Sequence, residues 1–416
     1  MKLRKKTKMP VLKKNAEEDV ETVDSEGAEA MLQVQAELNT LYVARYTAIK
    51  GLVYALICGH HIMLEGEPGI AKSSLAEALA ERVVGDDFCC FKTQLTKGMV
   101  SDALFGPMRI QKLREFEVYE FNTKGMLPNA HIAILDEIYR GPEMLLPSLL
   151  NVLNERTFAN GQEGILQCPL ITAVGTTNFQ IDTDELKAFH DRWLINLTIK
   201  PLTSTEERLT MLKHSLIGKP TMEHTISLSQ LLDLARLRTE VKVPPIILEI
   251  YEALTQKLLM KSRRAGGVSG LRNGLSDRRI VWSLRLAQAA AVLRKADTLI
   301  PDDLVACQMG LITMGVPEEE SWFTDAMDSE VGTYKKRVEE AEEISKLEKL
   351  VDKYTSLYGE NLPKERLKRL QAVLREVIST MTNQNFSEQV NIQRSRRYAK
   401  SFEDLLNQVS SDLNAV

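Results

Sequence analysis

His61-Ile62-Met63-Leu64-Glu65-Gly66-Glu67-Pro68-Gly69-Ile70-Ala71-Lys72-Ser73-Ser74 joins a short apolar run to a glycine-containing turn and then to helical periodicity. The apolar run, bounded by a turn, predicts a buried strand, and Ser73 to about Val83 predicts a helix. Strand, tight loop and helix N-terminus in that order form an anion cradle. Loop N–H groups converge on the anion, and the helix contributes its positive end. In such a loop Lys72 reaches the outer phosphates of a nucleotide and the Ser73 hydroxyl holds a magnesium ion. The pattern G-x-x-x-x-G-K-[ST] is broken at one position, where Ala71 replaces the second glycine. Alanine suits a negative φ, so the expectation is that Gly69 carries the sharpest bend. The bland alternative is a strand-to-helix turn that binds nothing.

About sixty residues on, His131-Ile132-Ala133-Ile134-Leu135 predicts a second buried strand, ending in Asp136-Glu137. Two carboxylates at a strand end suit a magnesium-assisted hydrolase. Asp136 would hold the cation through water, and Glu137 would polarise the attacking water as general base. Alone, Asp-Glu after a strand is more often a helix cap. Beside the Lys72 loop, the pair predicts ATP binding and hydrolysis.

The chain has 416 residues, enough for two to three domains. No uninterrupted apolar stretch approaches the ~20 residues of a membrane span. A net charge of −4 gives no bulk electrostatic case for nucleic acid. Lys2 to Lys14 is basic and Glu17 to Glu26 acidic, a charge-reversed leader rather than a secretory signal. Cys58, Cys89, Cys90, Cys168 and Cys307 show no C-x-x-C spacing, and suggest buried thiols in a reducing, cytoplasmic compartment.

The fold class expected is α/β. Residues 1–38 are a flexible charged leader and 39–202 a nucleotide-binding core with a parallel five-stranded sheet. Its elements are a helix from Leu41 to Leu56, then strands ending at Glu65, at Phe88 to Phe91, at Leu135, at Leu170 to Val174 and at Leu194 to Leu197. Residues 203–317 form an all-α lid after a hinge at Lys200-Pro201-Leu202-Thr203. Residues 318–416 form a helical C-terminal appendage. There Leu367, Leu370, Leu374, Val377 and Met381 make a narrow apolar seam against a stripe from Val338 to Tyr354. A turn at Gly359 to Pro363 would close an antiparallel hairpin.

Four further features narrow the class. Gly175-Thr176-Thr177-Asn178 ends the strand beside the carboxylate strand, and Asn178 fits the sensor-1 position of an AAA+ ATPase. Asp191-Arg192-Trp193 resembles an arginine-finger site, where one subunit's Arg192 reaches the neighbour's γ-phosphate. Ser276-Asp277-Arg278-Arg279 opens a lid helix, and Arg278 fits sensor 2. Two insertions complete the pattern: Arg109 to Pro128 predicts an extra hairpin, and Asn154 to Gly161 another around Asn160-Gly161. With Gly-Glu-Pro-Gly-Ile-Ala-Lys-Ser, Leu-Asp-Glu-Ile, Leu-Asn-Glu-Arg and Asp-Arg-Trp in order, the chain resembles the MoxR family of AAA+ ATPases, most closely its RavA subgroup. The resemblance covers about Leu41 to Val316. The RavA-type β-containing partner module has no counterpart after Glu318.

The resemblance implies ATP and Mg2+ as cofactors, a hexameric ring of identical subunits, and a partner protein with a von Willebrand A domain. It assigns Gly66 to Ser74 to the nucleotide and Ser73 with Asp136 to the metal. It makes Glu137, Asn178, Arg192 and Arg278 the catalytic set. Partner remodelling is the leading function. A nucleic-acid ring motor is the first alternative, with Arg109, Lys112 and Arg114 in one insertion but no Lys or Arg from Thr157 to Gln167. A nucleotide-gated structural ring is the second.

Overall fold

Parallel pairing on both sides of the strand before the phosphate loop organises the computed structural model of the chain. It describes residues 26–161, 164–178, 191–218, 220–264, 271, 274–358, 363–382 and 389–415. The leader before Glu26, the Gly266-Gly267 loop and the turn from Gly359 to Leu362 lie outside these residues. The chain divides into two compact units at Met327–Asp328.

In the first unit the strands of three or more residues are β1 (Ile62–Glu65), β2 (Cys90–Gln94), β3 (Ile132–Asp136), β4 (Thr157–Ala159), β5 (Ile165–Gln167), β6 (Thr172–Thr177) and β7 (Ile195–Thr198). Five of them form one sheet in the order β2-β3-β6-β1-β7, with every neighbouring pair parallel. Ile62 faces Val174 on one side and Ile195 on the other. All C-terminal strand ends therefore share one edge of the sheet, and all N-terminal ends share the other, ~13 Å away for a four-residue strand. Two strands sit later than their apolar runs suggest. β2 begins at Cys90, and β6 runs on through Gly175-Thr176-Thr177. A Cβ on Gly175 would meet Met63 Sδ and the Trp193 ring at 3.0 Å, so the bare backbone there lets fully buried Trp193 close the core.

The N-terminal helix corrects the expected leader. α1 (Glu26–Leu41) and α2 (Tyr46–Cys58) are separate helices, broken where Ala44 takes φ 54°. Ala28, Met31, Val34 and Leu38 of α1 are buried. Glu26, taken as the end of the acidic tail, instead occupies the first helical turn with Glu29, where the helix dipole favours both. α3 (Lys72–Ala80) follows the phosphate loop.

The first insertion is not a hairpin. It is α4 (Ile110–Phe116), ended by Glu117 at φ 55° and closed by the single bridge Met108–Phe121. Phe116 and Tyr119 are exposed rather than packed as alternating strand residues. The second insertion is the expected hairpin of β4 and β5. Asn160 ties the two insertions together, since its Oδ1 accepts from Phe121 N at 2.7 Å.

The lid contains α5 (Thr205–Ile217), α6 (Leu228–Glu240), α7 (Pro245–Arg264) and α8 (Asp277–Leu293). Ser227 and Gln230 form a capping box on α6, and Ser276 caps α8. The division between the units falls within α9 (Pro317–Tyr358). The second unit adds α10 (Lys364–Thr382) and α11 (Gln389–Ala415). Phe402, Leu405 and Val409 of α11 share a core with Leu347, Leu367, Leu370 and Leu374, so three helices replace the expected hairpin of two.

Candidate active site

The phosphate loop leaves β1 at buried Glu65 and must turn at once. A Cβ on Gly66 would fall 2.4 Å from Ile199 O, so only glycine fits. Gly69 takes φ 82°, as a glycine bend should. Ala71, expected at negative φ, takes φ 68° and ψ 29°. The loop enters the left-handed region twice before the helix, and the second entry falls on a residue with a Cβ. Such a conformation costs a non-glycine residue about 1–2 kcal/mol. It is held by the first turn of α3, where Ala71 O accepts from Leu75 N at 3.1 Å and from Ser74 Oγ at 3.2 Å.

Lys72 is buried at the base of this loop. Its Nζ donates to Gly66 O at 2.7 Å, Glu67 O at 2.8 Å and Asn178 Oδ1 at 2.7 Å. Burial holds its pKa below the usual lysine value, against the opposing pull of Glu137 and Asp136. Ser73 Oγ donates to Asp136 Oδ1 at 2.6 Å, and Thr176 Oγ1 donates to the same oxygen at 2.9 Å. A hydroxyl and a carboxylate in contact are a hard-oxygen donor set suited to magnesium.

Glu137 follows β3 in a left-handed conformation, φ 53° and ψ 46°. Asn178 Nδ2 donates to Glu137 Oε1, and Arg140 Nε lies 3.4 Å from Oε2. Lys72, Ser73, Asp136, Glu137 and Asn178 line a cavity of about 340 Å³ with Pro68, Gly69, Ala71, Ser74, Gln94 and Thr176. Lys72 is the one cation among its lining residues. Thr176 and Gln94 carry no motif signal; only strand register, with Gln94 opposite Asp136, places Gln94 here.

Beyond the loop, a second cavity of about 250 Å³ is lined by Ala44, Arg45, Thr47 and Ala48 at the start of α2, and by Ile199 to Thr203, Glu207 and Gly315.

The remaining two sequence candidates are elsewhere. Asp191 and Arg192 precede β7 and so lie at the N-terminal edge of the sheet, opposite the phosphate loop. Arg278 is there too, its NH1 3.7 Å from Asp191 Oδ2 and its guanidinium 5.3 Å from the Trp282 ring centroid. Arg278 is therefore not over its own chain's phosphate cavity. Parallel pairing of β1 with β7 sets this separation. Adjacent Arg279, which no motif marks, is fully buried and donates to Trp193 O, Leu194 O and Gly310 O. Burial pushes its pKa down to about 10.

Known proteins resemble the chain in sequence and in fold. The family model of the MoxR domain in the MoxR-vWA-beta-propeller ternary systems matches residues 29–235. An uncharacterized protein of Methanocaldococcus jannaschii is 31% identical over 235 residues, 56% of this chain and 60% of that one. The chain thus spans less than two thirds of that relative's length. Chaperone MoxR1 of Mycobacterium tuberculosis is 25% identical over 276 residues, 65% of this chain and 71% of that one. The crystal structure of a candidate ATPase from Cytophaga hutchinsonii superposes with a TM-score of 0.56 at 19% identity, covering 73% of this chain and 94% of that one. That likeness concerns the fold.

Proposed function

The chain belongs to the MoxR family of AAA+ ATPases, and on that premise we propose that it hydrolyses ATP in a ring of identical subunits to remodel partner proteins. The observation that carries the reading is the linked set Lys72–Asn178–Glu137 facing the Ser73–Asp136 pair across one cavity. The N–H groups of Gly69 to Ser73 would cradle the phosphates, and the α3 N-terminus would add its dipole. Lys72 would leave the loop carbonyls for the outer phosphates. Ser73 and Asp136 would hold a magnesium ion, which neutralises phosphate charge when bound. Asn178, released from Lys72, would orient the attacking water, and Glu137 would take its proton. The base would occupy the cavity between Arg45 and the Lys200–Thr203 hinge.

Arg192 cannot serve its own chain's phosphates from the opposite sheet edge. In a head-to-tail assembly it would enter the neighbour's site and stabilise transition-state charge. Arg278 on the same edge would act with it. A hexamer, a cytoplasmic location and a partner with a von Willebrand A domain complete the proposal; the ternary systems in the description of the matching family model support the partner. No helix among the described residues is long and apolar enough to cross a membrane. The RavA-like affinity rests on the motifs alone.

The nucleic-acid reading loses support from the first insertion. Arg109 and Lys112 both pair with buried Glu120, leaving less positive charge for phosphates. Turnover measured with and without a purified von Willebrand A-domain protein, and with single-stranded DNA across a salt series, separates the readings. Remodelling predicts a response to the protein alone; salt-dependent DNA stimulation would contradict it.

A further inference from the structure

Helix α3 packs on β3 and β6, while β2 forms the edge of the sheet beyond it. Cys90 and Lys92 alternate onto the α3 side of that edge strand, and both are exposed. Between α3 and this edge lies a cavity of about 400 Å³, larger than the phosphate cavity. Ala80, Val83, Phe88, Cys90 and Ile134 line it, so its walls are mostly apolar. Its mouth is acidic. Glu77 and Glu81 also line it, and Asp86 and Asp87 are exposed in the turn that delivers Phe88. Lys92 is tied to Glu77 at 2.6 Å and Arg82 lies 3.9 Å from Glu81, which leaves the two aspartates for a cation from elsewhere. An apolar trough with acids at its mouth fits an apolar segment flanked by lysines.

We propose that Lys8-Met9-Pro10-Val11-Leu12-Lys13-Lys14, in the leader of the same chain, occupies this cavity. The inference concerns a surface apart from the phosphate site and does not rest on ATP hydrolysis. Three observations select that occupant. First, Met9 to Leu12 is an apolar run set between lysines, which matches apolar walls and an acidic mouth. Second, charge separates the two halves of the leader. Asp86 and Asp87 repel the acidic run from Glu17 to Glu26 and attract the basic half before it. Third, the start of α1 lies close by. A Cβ on Gly27 would meet Gln230 O at 3.2 Å, in the first turn of α6. A Cβ on Gly85 would meet Leu228 Cβ, in that same turn, at 3.3 Å and Phe88 Cβ at 3.8 Å. Contacts thus lead from α1 across α6 to the cavity wall. The 13 residues between Leu12 and Glu26 span up to about 45 Å when extended, ample for that path.

Cys90 reports on the cavity, because it is exposed there while Cys58, Cys168 and Cys307 are buried. The test labels the full chain with N-ethylmaleimide and follows modification at Cys90 by tandem mass spectrometry. Met9→Asp, Val11→Asp and Leu12→Asp combined should speed labelling at Cys90 at least fivefold and leave the melting temperature unchanged. An unchanged labelling rate would overturn the proposal. A second measurement fixes the occupant: Leu12→Cys in the full chain, treated with a short bis-maleimide, should become linked to Cys90 within one chain at every protein concentration. No link at all would overturn the assignment of this segment. Links that form only between chains, and increase with concentration, would give the cavity to a second copy's leader and overturn docking within the chain.

Discussion

Lys72 Nζ donates to Asn178 Oδ1 at 2.7 Å, and the other end of the same amide donates to Glu137. One side chain thus couples the phosphate-binding cation to the general base. A phosphate that draws Lys72 away also frees Asn178 and, through it, Glu137. Asn178→Ala should lower kcat roughly hundredfold, the scale of a lost positioning group in acid–base catalysis. Affinity for a fluorescent ATP analogue should change little. A mutant that loses binding and turnover in proportion would place Asn178 in ground-state binding instead.

Ala71 holds a positive φ that glycine adopts freely. Ala71→Gly should therefore leave stability unchanged or raise it by up to about 1 kcal/mol, against the usual loss of 0.5–1 kcal/mol for glycine within a helix. Urea unfolding of the two proteins compares them directly, and a clear loss would show that Ala71 is not strained.

Arg278 and Arg279 are neighbours with opposite consequences. Arg279→Ala leaves three carbonyls of Trp193, Leu194 and Gly310 without their donor and should cost about 3 kcal/mol or more. Arg278→Ala removes a half-exposed partner of Asp191 and should cost under about 1 kcal/mol while lowering turnover. Thermal melts and turnover on both variants test the contrast.

Burial, with Arg285, Arg238 and Arg156 nearby, pushes the His60 imidazole down to about 3. Between that value and an ordinary ~6.5 the unfolded chain takes up a proton that the folded chain refuses. Stability should therefore fall as pH drops from 6.5 toward 3, by up to about 1.4 kcal/mol per pH unit for this residue. His60→Phe keeps a ring on Trp282, which His60 stacks against at 4.7 Å. The mutant's stability should depend less steeply on pH in denaturant titrations at pH 5, 6 and 7.

The readable parts of the chain were those where local pattern and tertiary structure agree. The strand ending at Glu65, the Lys72 loop, Asp136-Glu137 and Asn178 are short-range signals, and parallel pairing gathers them at one edge. What was hidden depends on distant partners. Ala71 takes its φ from the first turn of α3, where its carbonyl accepts from Leu75 N and Ser74 Oγ, not from its own preference. Thr176 and Gln94 enter the site through strand register. Arg278 resembled a sensor, but its position follows from α8 packing at the edge that bears Asp191. In the tail, the Leu367 to Leu374 seam was visible, while its third partner, Phe402, Leu405 and Val409, comes from a separate helix further along the chain.

Completion of the ATPase site by a neighbour is what separates this protein from a self-contained hydrolase. Its most direct test is ATP turnover per subunit across a protein-concentration series, with Glu137→Gln as the blank. The rate should rise with concentration, then level off, and vanish in the mutant. A rate per subunit that is constant from dilute to concentrated protein would contradict it.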